Sequence, residues 1–181
     1  MLPHSVLIDE KTIETRVGEL ASLIATDLPT RQPTLLGLLT GSFVFLADLV
    51  RQLSRHGIEP KVEFINVSHY GDTREASQPV SFLREQLPHL TDEVLLVVDD
   101  IFDSGFSLQA VHEHLRHQKP AWLRFCTLLD KPSRHQVDLR VDYVGFEIPD
   151  VWIIGYGLDL GGEGRGLPYL GAVEQANQEA P

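Results

Sequence analysis

The 181-residue chain contains a single cysteine, Cys126, which excludes an intrachain disulfide and any cysteine-based metal cluster. It also lacks basic excess. Fifteen Lys and Arg stand against 26 Asp and Glu, a formal net charge of −11, and this balance argues against a nucleic-acid partner and for small-molecule ones. No apolar run is long enough to span a bilayer, and Met1-Leu2-Pro3-His4 lacks a basic region followed by an apolar core. The sequence therefore predicts a cytoplasmic protein without a membrane partner. Internal repeats, low-complexity runs and a clear linker are missing too. What is present is 43% hydrophobic residues, which fits one domain over residues 1–181 with a full core; the chain is too short for two ordinary domains.

Hydrophobic periodicity predicts alternating helices and strands. Ile13, Val17, Leu20 and Ile24 recur at helical spacing between Asp9 and Leu28-Pro29. Leu35 to Leu39 reads as a buried strand. It runs through Thr40-Gly41-Ser42 into a helix with Phe43, Leu46, Ala47 and Val50 on one face. Lys61 to Val67 reads as a strand, Ser68 to Pro79 as a polar loop, and Ser81-Phe82-Leu83 as a short strand. Further strands are predicted at 122–129, 142–147 and 151–156, with a frayed tail from Asn177.

The middle of the chain carries the chemistry. Val94 to Val98 is a run of β-branched and leucine side chains, the pattern of a strand buried on both faces. Asp99 and Asp100 follow, then the small polar turn Asp103-Ser104-Gly105-Phe106-Ser107, and Leu108, Val111 and Leu115 begin a helix. In an open α/β sheet, ligands bind beyond the carboxyl ends of the strands. Backbone N–H groups from Ser104 to Ser107, with the first turn of the helix, form a donor surface for a phosphate. The acidic pair would repel that phosphate at close range, so it suits hydroxyl groups or a hard cation such as Mg2+. A sugar phosphate satisfies both. His112, His114 and His117 on the helix lack a carboxylate or cysteine to complete a metal set, and read as a solvated face.

Strand, two acids, two apolar residues, Asp, a small hydroxyl residue, Gly, one variable residue and Ser: this order resembles the phosphoribosyl-pyrophosphate (PRPP) signature of type I phosphoribosyltransferases. Leu128-Leu129-Asp130-Lys131-Pro132-Ser133-Arg134 and Val144-Gly145-Phe146-Glu147-Ile148-Pro149-Asp150, the latter followed by an aromatic, two aliphatics, Gly-Tyr-Gly and Leu158-Asp159, narrow the likeness. They are similar to the 6-oxopurine branch, the hypoxanthine-guanine phosphoribosyltransferases, and the likeness extends from Leu7 to Tyr169.

The resemblance implies an α/β fold, a mostly parallel central sheet flanked by helices over about 30–140, with a small hood from the N-terminal segment and about 145–175. It implies transfer of the 5-phosphoribosyl group from PRPP to N9 of hypoxanthine or guanine, with Mg2+ and as a homo-oligomer, dimer or tetramer. Asp103 is implied as the catalytic proton acceptor. Asp99, Asp100, Asp103, Ser104, Gly105, Phe106 and Ser107 would hold PRPP and its 5′-phosphate, and Thr40, Gly41 and Arg165 the pyrophosphate. Lys131, Trp152, Ile153 and Asp159 would take the purine, His69 and Tyr70 would form a lid, and Asp99, Asp100 and Asp159 would attend the metal. Lys131 would donate to a purine carbonyl oxygen and reject the amino group of adenine, which offers no acceptor.

The chain departs from the family pattern at five places. Thr40 stands where the first pyrophosphate loop has a cation, His69 where the lid has Ser, Asp99 where the acidic pair begins with Glu, and His135 where a second basic residue follows Arg134. Phe106 replaces an often polar residue. These departures keep open an alternative, a non-catalytic PRPP or nucleotide sensor or an RNA-binding regulator on the same fold.

Overall fold

The computed structural model describes residues 2–69, 80–82 and 90–174. Its elements in chain order are β1 (His4–Ile8), α1 (Glu10–Asp27), β2 (Thr34–Leu39), α2 (Phe43–Arg55), β3 (Lys61–His69), β4 (Val80–Phe82), β5 (Val94–Phe102), α3 (Phe106–Arg116), β6 (Trp122–Asp130), β7 (Tyr143–Glu147), β8 (Ile153–Ile154) and β9 (Leu170–Val173), with one 3-10 turn at Pro132–Arg134. A six-stranded sheet runs in the order β4-β3-β2-β5-β6-β7. All its pairings are parallel except the edge pair of β3 with β4. The expected mostly parallel α/β sheet is thus present.

Period-two burial explains why β5 sits in the middle. Leu96 and Val98 face a core layer with α1 and α2, while Leu95 and Val97 face a second layer with α3. A strand apolar on both sides is stable only between two helical layers. The faces of the helices match this arrangement. Ile13, Val17, Leu20 and Ile24 of α1 are buried, as are Leu108, Val111 and Leu115 of α3. Asp9 caps α1 by accepting from Thr12 N at 2.9 Å and Thr12 Oγ1 at 3.0 Å, and these bonds hold its carboxyl below its ordinary value.

Three sequence expectations are corrected. The central strand does not end before the acids but continues to Phe102, because the ladder with β6 continues: Asp99 registers with Thr127, Ile101 with Leu129 and Phe102 with Asp130. Of the strand expected at 151–156 only Ile153–Ile154 forms, since Gly155, Tyr156 and Gly157 all take positive φ (101°, 48° and 104°) and turn the chain. The helical histidines are not simply solvated, for His112 packs edge-on to Phe125 with ring centroids 5.7 Å apart. A second sheet, order β1-β9-β8, joins the two ends of the chain, and its strands β1 and β9 had no local sequence signal. It places residues after β7 over the carboxyl edge of the main sheet.

Candidate active site

Four segments meet at that edge. After β2 the Leu39–Thr40 peptide is cis, and the chain turns through Gly41 into α2. A Cβ on Gly41 would lie 1.8 Å from Asp100 Oδ2, so only glycine lets this loop lie against the acidic pair. After β5 the chain passes Asp103 and Ser104 to Gly105, whose φ is 90° and whose Cβ would meet Val137 Cγ2 at 2.3 Å. Gly105 stands at the start of α3 without a capping side chain, so the positive end of the helix opens on the cavity.

Two adjoining cavities form one cleft. The first, about 530 Å³, is lined by Thr40, Gly41, Asp99, Asp100, Asp103, Ser104, Gly105, Ser107, Arg134 and Trp152 among others. The second, about 430 Å³, shares Thr40, Gly41, Asp100, Asp103 and Trp152 and adds Asn66, Lys131, Ile153, Leu158, Asp159 and Arg165. A separate, larger cavity of about 700 Å³ lies between α1, α2 and the 165–168 loop and shares only Arg165 with the cleft; its paired surface charges offer no comparable chemistry. Phe106 lines neither part of the cleft. The lid expectation falls on His69, where β3 ends, and on Tyr70, which lies outside the described residues.

Electrostatics divides the cleft. Asp99 is buried, and its Oδ1 accepts from Asp100 N at 3.0 Å. Burial, then the neighbouring Asp100 charge, push the Asp99 carboxyl well above the usual carboxylate range. Burial also raises Asp100, less strongly, with hydrogen bonds and the Arg165 charge working the other way. Asp103 faces two cations, Lys131 Nζ at 3.3 Å and Arg134 Nε at 3.0 Å. The Asp103 carboxylate raises the Arg134 guanidinium above its ordinary value. Lys131 is only 4% exposed, and its Nζ stands 6.0 Å from the centre of the Trp152 ring. Trp152 itself is 56% exposed, so it is not a core tryptophan but an open aromatic face on the cleft.

Backbone bonds fix the two functional loops together. Lys131 N donates to Phe102 O at 2.9 Å and Gln136 N to Ser104 O at 3.0 Å. His135 packs against Phe102 with ring planes tilted by 51° and centroids 4.4 Å apart, and pairs through Nε2 with Asp130 Oδ1 at 2.5 Å. Where the family has a second basic residue, His135 thus serves as a structural strut. On the hood side, Arg165 pairs with Asp159 and donates to Gly157 O at 2.5 Å, and Gly162 N donates to Asp159 Oδ2 at 2.8 Å.

The structure gathers Thr40, Gly41, Asp100, Asp103, Lys131, Trp152, Ile153, Asp159 and Arg165 around one space. It does not gather the acids expected at a metal: among the described residues no three carboxylate, His or Cys groups come together to hold an ion. Asp99 lines the part of the cleft formed by Ser104, Gly105 and Ser107, whereas Asp159 lines the other part, tied to Arg165. Asn66, Arg134 and Asp150 also line the cleft or its annexe and were not singled out from sequence. Arg134 and Asp150 stand inside the quoted motifs, and their charges were the available signal.

A parallel sheet carrying a phosphate cradle, an acidic pair and a hood-borne aromatic at its carboxyl edge defines a phosphoribosyl transferase domain, and the model of that domain matches residues 6–160. Hypoxanthine-guanine phosphoribosyltransferase of Aquifex aeolicus is 41% identical over 93% of this chain and 94% of its own length. The enzyme of that name from Bacillus subtilis is 34% identical over 99% of this chain and 100% of its own. A crystal structure of a hypoxanthine-guanine phosphoribosyltransferase from Bacillus anthracis superposes with a TM-score of 0.85 at 38% identity, covering 96% of this chain and 99% of that one. The chain belongs to the hypoxanthine-guanine phosphoribosyltransferase family.

Proposed function

We propose that the protein is a cytoplasmic, Mg2+-dependent purine-salvage enzyme that moves the 5-phosphoribosyl group of PRPP to N9 of hypoxanthine or guanine, giving IMP or GMP and pyrophosphate. The observation that carries the reading is the adjacency of Asp103 to a buried Lys131 beside an open Trp152 face, directly next to the Ser104–Ser107 cradle. In the reaction the bond from the anomeric carbon to pyrophosphate breaks as the bond to N9 forms. Asp103 accepts the proton lost from N7, Lys131 donates to the 6-oxygen, and Trp152 stacks on the ring, with the backbone of Ile153 along its edge. The cradle holds the 5′-phosphate while Asp99 and Asp100 take ribose hydroxyls. Thr40, Gly41 and Arg165 receive the pyrophosphate.

The donor set fits a hard divalent ion only in part. Asp100 and Asp159 offer oxygen ligands, but without a third such group nearby among the described residues, substrate oxygens must complete the shell. Held by Asp100, Asp159 and substrate oxygens, Mg2+ would supply neutralisation of the charge on the pyrophosphate. A homo-oligomer, dimer or tetramer, would cover Phe43, Val62 and Phe64, which are exposed on the outside of α2 and β3; sedimentation of the purified protein tests this. The function is tested by incubating the protein with PRPP, Mg2+ and hypoxanthine, guanine, xanthine or adenine in turn. Nucleotide from the 6-oxopurines and none from adenine is expected. No product from any 6-oxopurine, or RNA binding without turnover, refutes it.

A further inference from the structure

Beside the cleft lies an annexe of about 160 Å³ lined by Asp103, Lys131, Arg134, Asp150, Val151 and Trp152. Two cations and two carboxylates alternate around it. Lys131 Nζ is 3.3 Å from Asp103 Oδ2 and 3.6 Å from Asp150 Oδ1, while Arg134 Nε is 3.0 Å from Asp103 Oδ1 and 3.7 Å from Asp150 Oδ1. The two carboxylates are not equivalent. Asp103 belongs to the phosphate loop and holds the shorter contacts. Asp150 sits in the turn between β7 and β8, where Val151 N bonds Pro149 O and Ile148 N bonds Asp130 O, so it is carried by the hood and stays next to the Lys131 loop.

This inference rests on the function proposed above. A purine entering over Trp152 needs both Asp103, for N7, and Lys131, for the 6-oxygen, so the direct Asp103–Lys131 contact must open. The Lys131 side chain is only 5% exposed, and an ammonium deprived of its counter-charge in such a place is costly. Asp150 is the one other carboxylate in contact with it among the described residues. We propose that Asp150 is a positioning residue: it keeps Lys131 and Arg134 compensated when the base replaces Asp103 on Lys131, and so sets the affinity for the 6-oxopurine end of the ligand. The Asp150 side chain is 52% exposed, which limits the contribution of the pair to a change of no more than about five-fold.

The test is equilibrium binding, followed by tryptophan fluorescence, of IMP and of ribose 5-phosphate to the wild-type protein and to Asp150→Asn and Asp150→Glu variants. Ribose 5-phosphate reaches the phosphate cradle but not Lys131. Asp150→Asn is expected to raise Kd for IMP about three-fold to five-fold and to leave Kd for ribose 5-phosphate within about 1.5-fold. Asp150→Glu, which restores the charge, is expected to return IMP affinity to within about 1.5-fold of wild type. An unchanged Kd for IMP in Asp150→Asn overturns the inference, and so does an equal weakening of both ligands, the mark of a merely structural role. Binding does not require turnover, so a protein that shows this pattern yet makes no IMP from PRPP and hypoxanthine refutes the catalytic reading while upholding the role of Asp150.

Discussion

Replacing Asp103 by Asn is the sharpest probe of the proposed chemistry, because the amide keeps the shape of the side chain and removes its charge and basicity. A positioned general base contributes roughly 10²- to 10⁴-fold in rate, equivalent to about 3–5 kcal/mol of barrier. PRPP binding is expected to respond in a different way. Asp103 neutralises Lys131 at 3.3 Å and Arg134 at 3.0 Å, so the substitution leaves one more uncompensated positive charge in the cleft, and a polyanion is bound no less tightly. Its side chain is 36% exposed, and solvent screening holds each lost pair to about 1 kcal/mol or less, which corresponds to no more than about a five-fold change in KM. The assay is initial-rate formation of IMP from hypoxanthine with PRPP varied, alongside a thermal melt to show that the variant is folded. A kcat within three-fold of wild type would falsify the assignment of Asp103 as proton acceptor. So would a more than ten-fold rise in KM for PRPP with kcat intact, since Asp103 would then be a phosphate-loop support only.

Lys131→Met removes the charged donor to the 6-oxygen, a bond worth about 1.5–3 kcal/mol; kcat/KM for hypoxanthine is expected to fall roughly ten-fold to a hundred-fold while any trace rate with adenine does not fall, and a parallel loss for both bases contradicts the selectivity role. Gly41→Ala drives a methyl group onto Asp100, whose Oδ2 and Cγ would lie 1.8 and 2.5 Å away. Overpacking of this kind costs about 1–3 kcal/mol, and with the acidic pair displaced, activity is expected to drop about a hundred-fold; a fully active variant shows that the loop does not depend on this close approach. Asp99 supplies a pH test. Because burial raises its carboxyl in the folded state, the folded form keeps a proton that the unfolded chain releases, and stability is lost as pH rises from the ordinary carboxylate value through the raised one. The ligand-free Asp99→Asn variant is therefore expected to melt above wild type at pH 8, with the gap closing near pH 4, and a gap that widens on acidification is inconsistent with a raised Asp99.

The sequence showed the core of this arrangement because its signals there are local. The doubly buried run Val94–Val98 and the turn Asp103–Ser107 each declare a strand end and a helix start within a few residues. Where the strand stops was not local. Two carboxylates read as a terminus, but the ladder to β6 carries the backbone on to Phe102, so Asp99 lies inside the sheet rather than beyond it, and its burial follows from that. The second sheet was not readable as strands: β1 pairs with β9 across nearly the whole chain, and no short window of sequence contains such a pairing. Asp150 was invisible as a functional group for the same reason. It stood in a quoted motif as one more acid, and only the folded turn brings it to Lys131 and Arg134.

Thr40, the departure that weighs most against PRPP binding, gains its meaning from the charge of the cleft as a whole. Among the described residues that line the cleft and its annexe are five carboxylates, Asp99, Asp100, Asp103, Asp150 and Asp159, and three cations, Lys131, Arg134 and Arg165. Each cation is already paired: Lys131 and Arg134 with Asp103 and Asp150, and Arg165 with Asp159. A lysine in place of Thr40 would have shifted this balance by one charge. Without it, the positive potential not tied up in ion pairs is that of the helix N-termini, α3 after Gly105 and α2 after Gly41-Ser42, about half a charge each. If this chain takes PRPP as proposed, the further positive charge that its pyrophosphate requires would enter with the substrate, as a divalent cation bound to it.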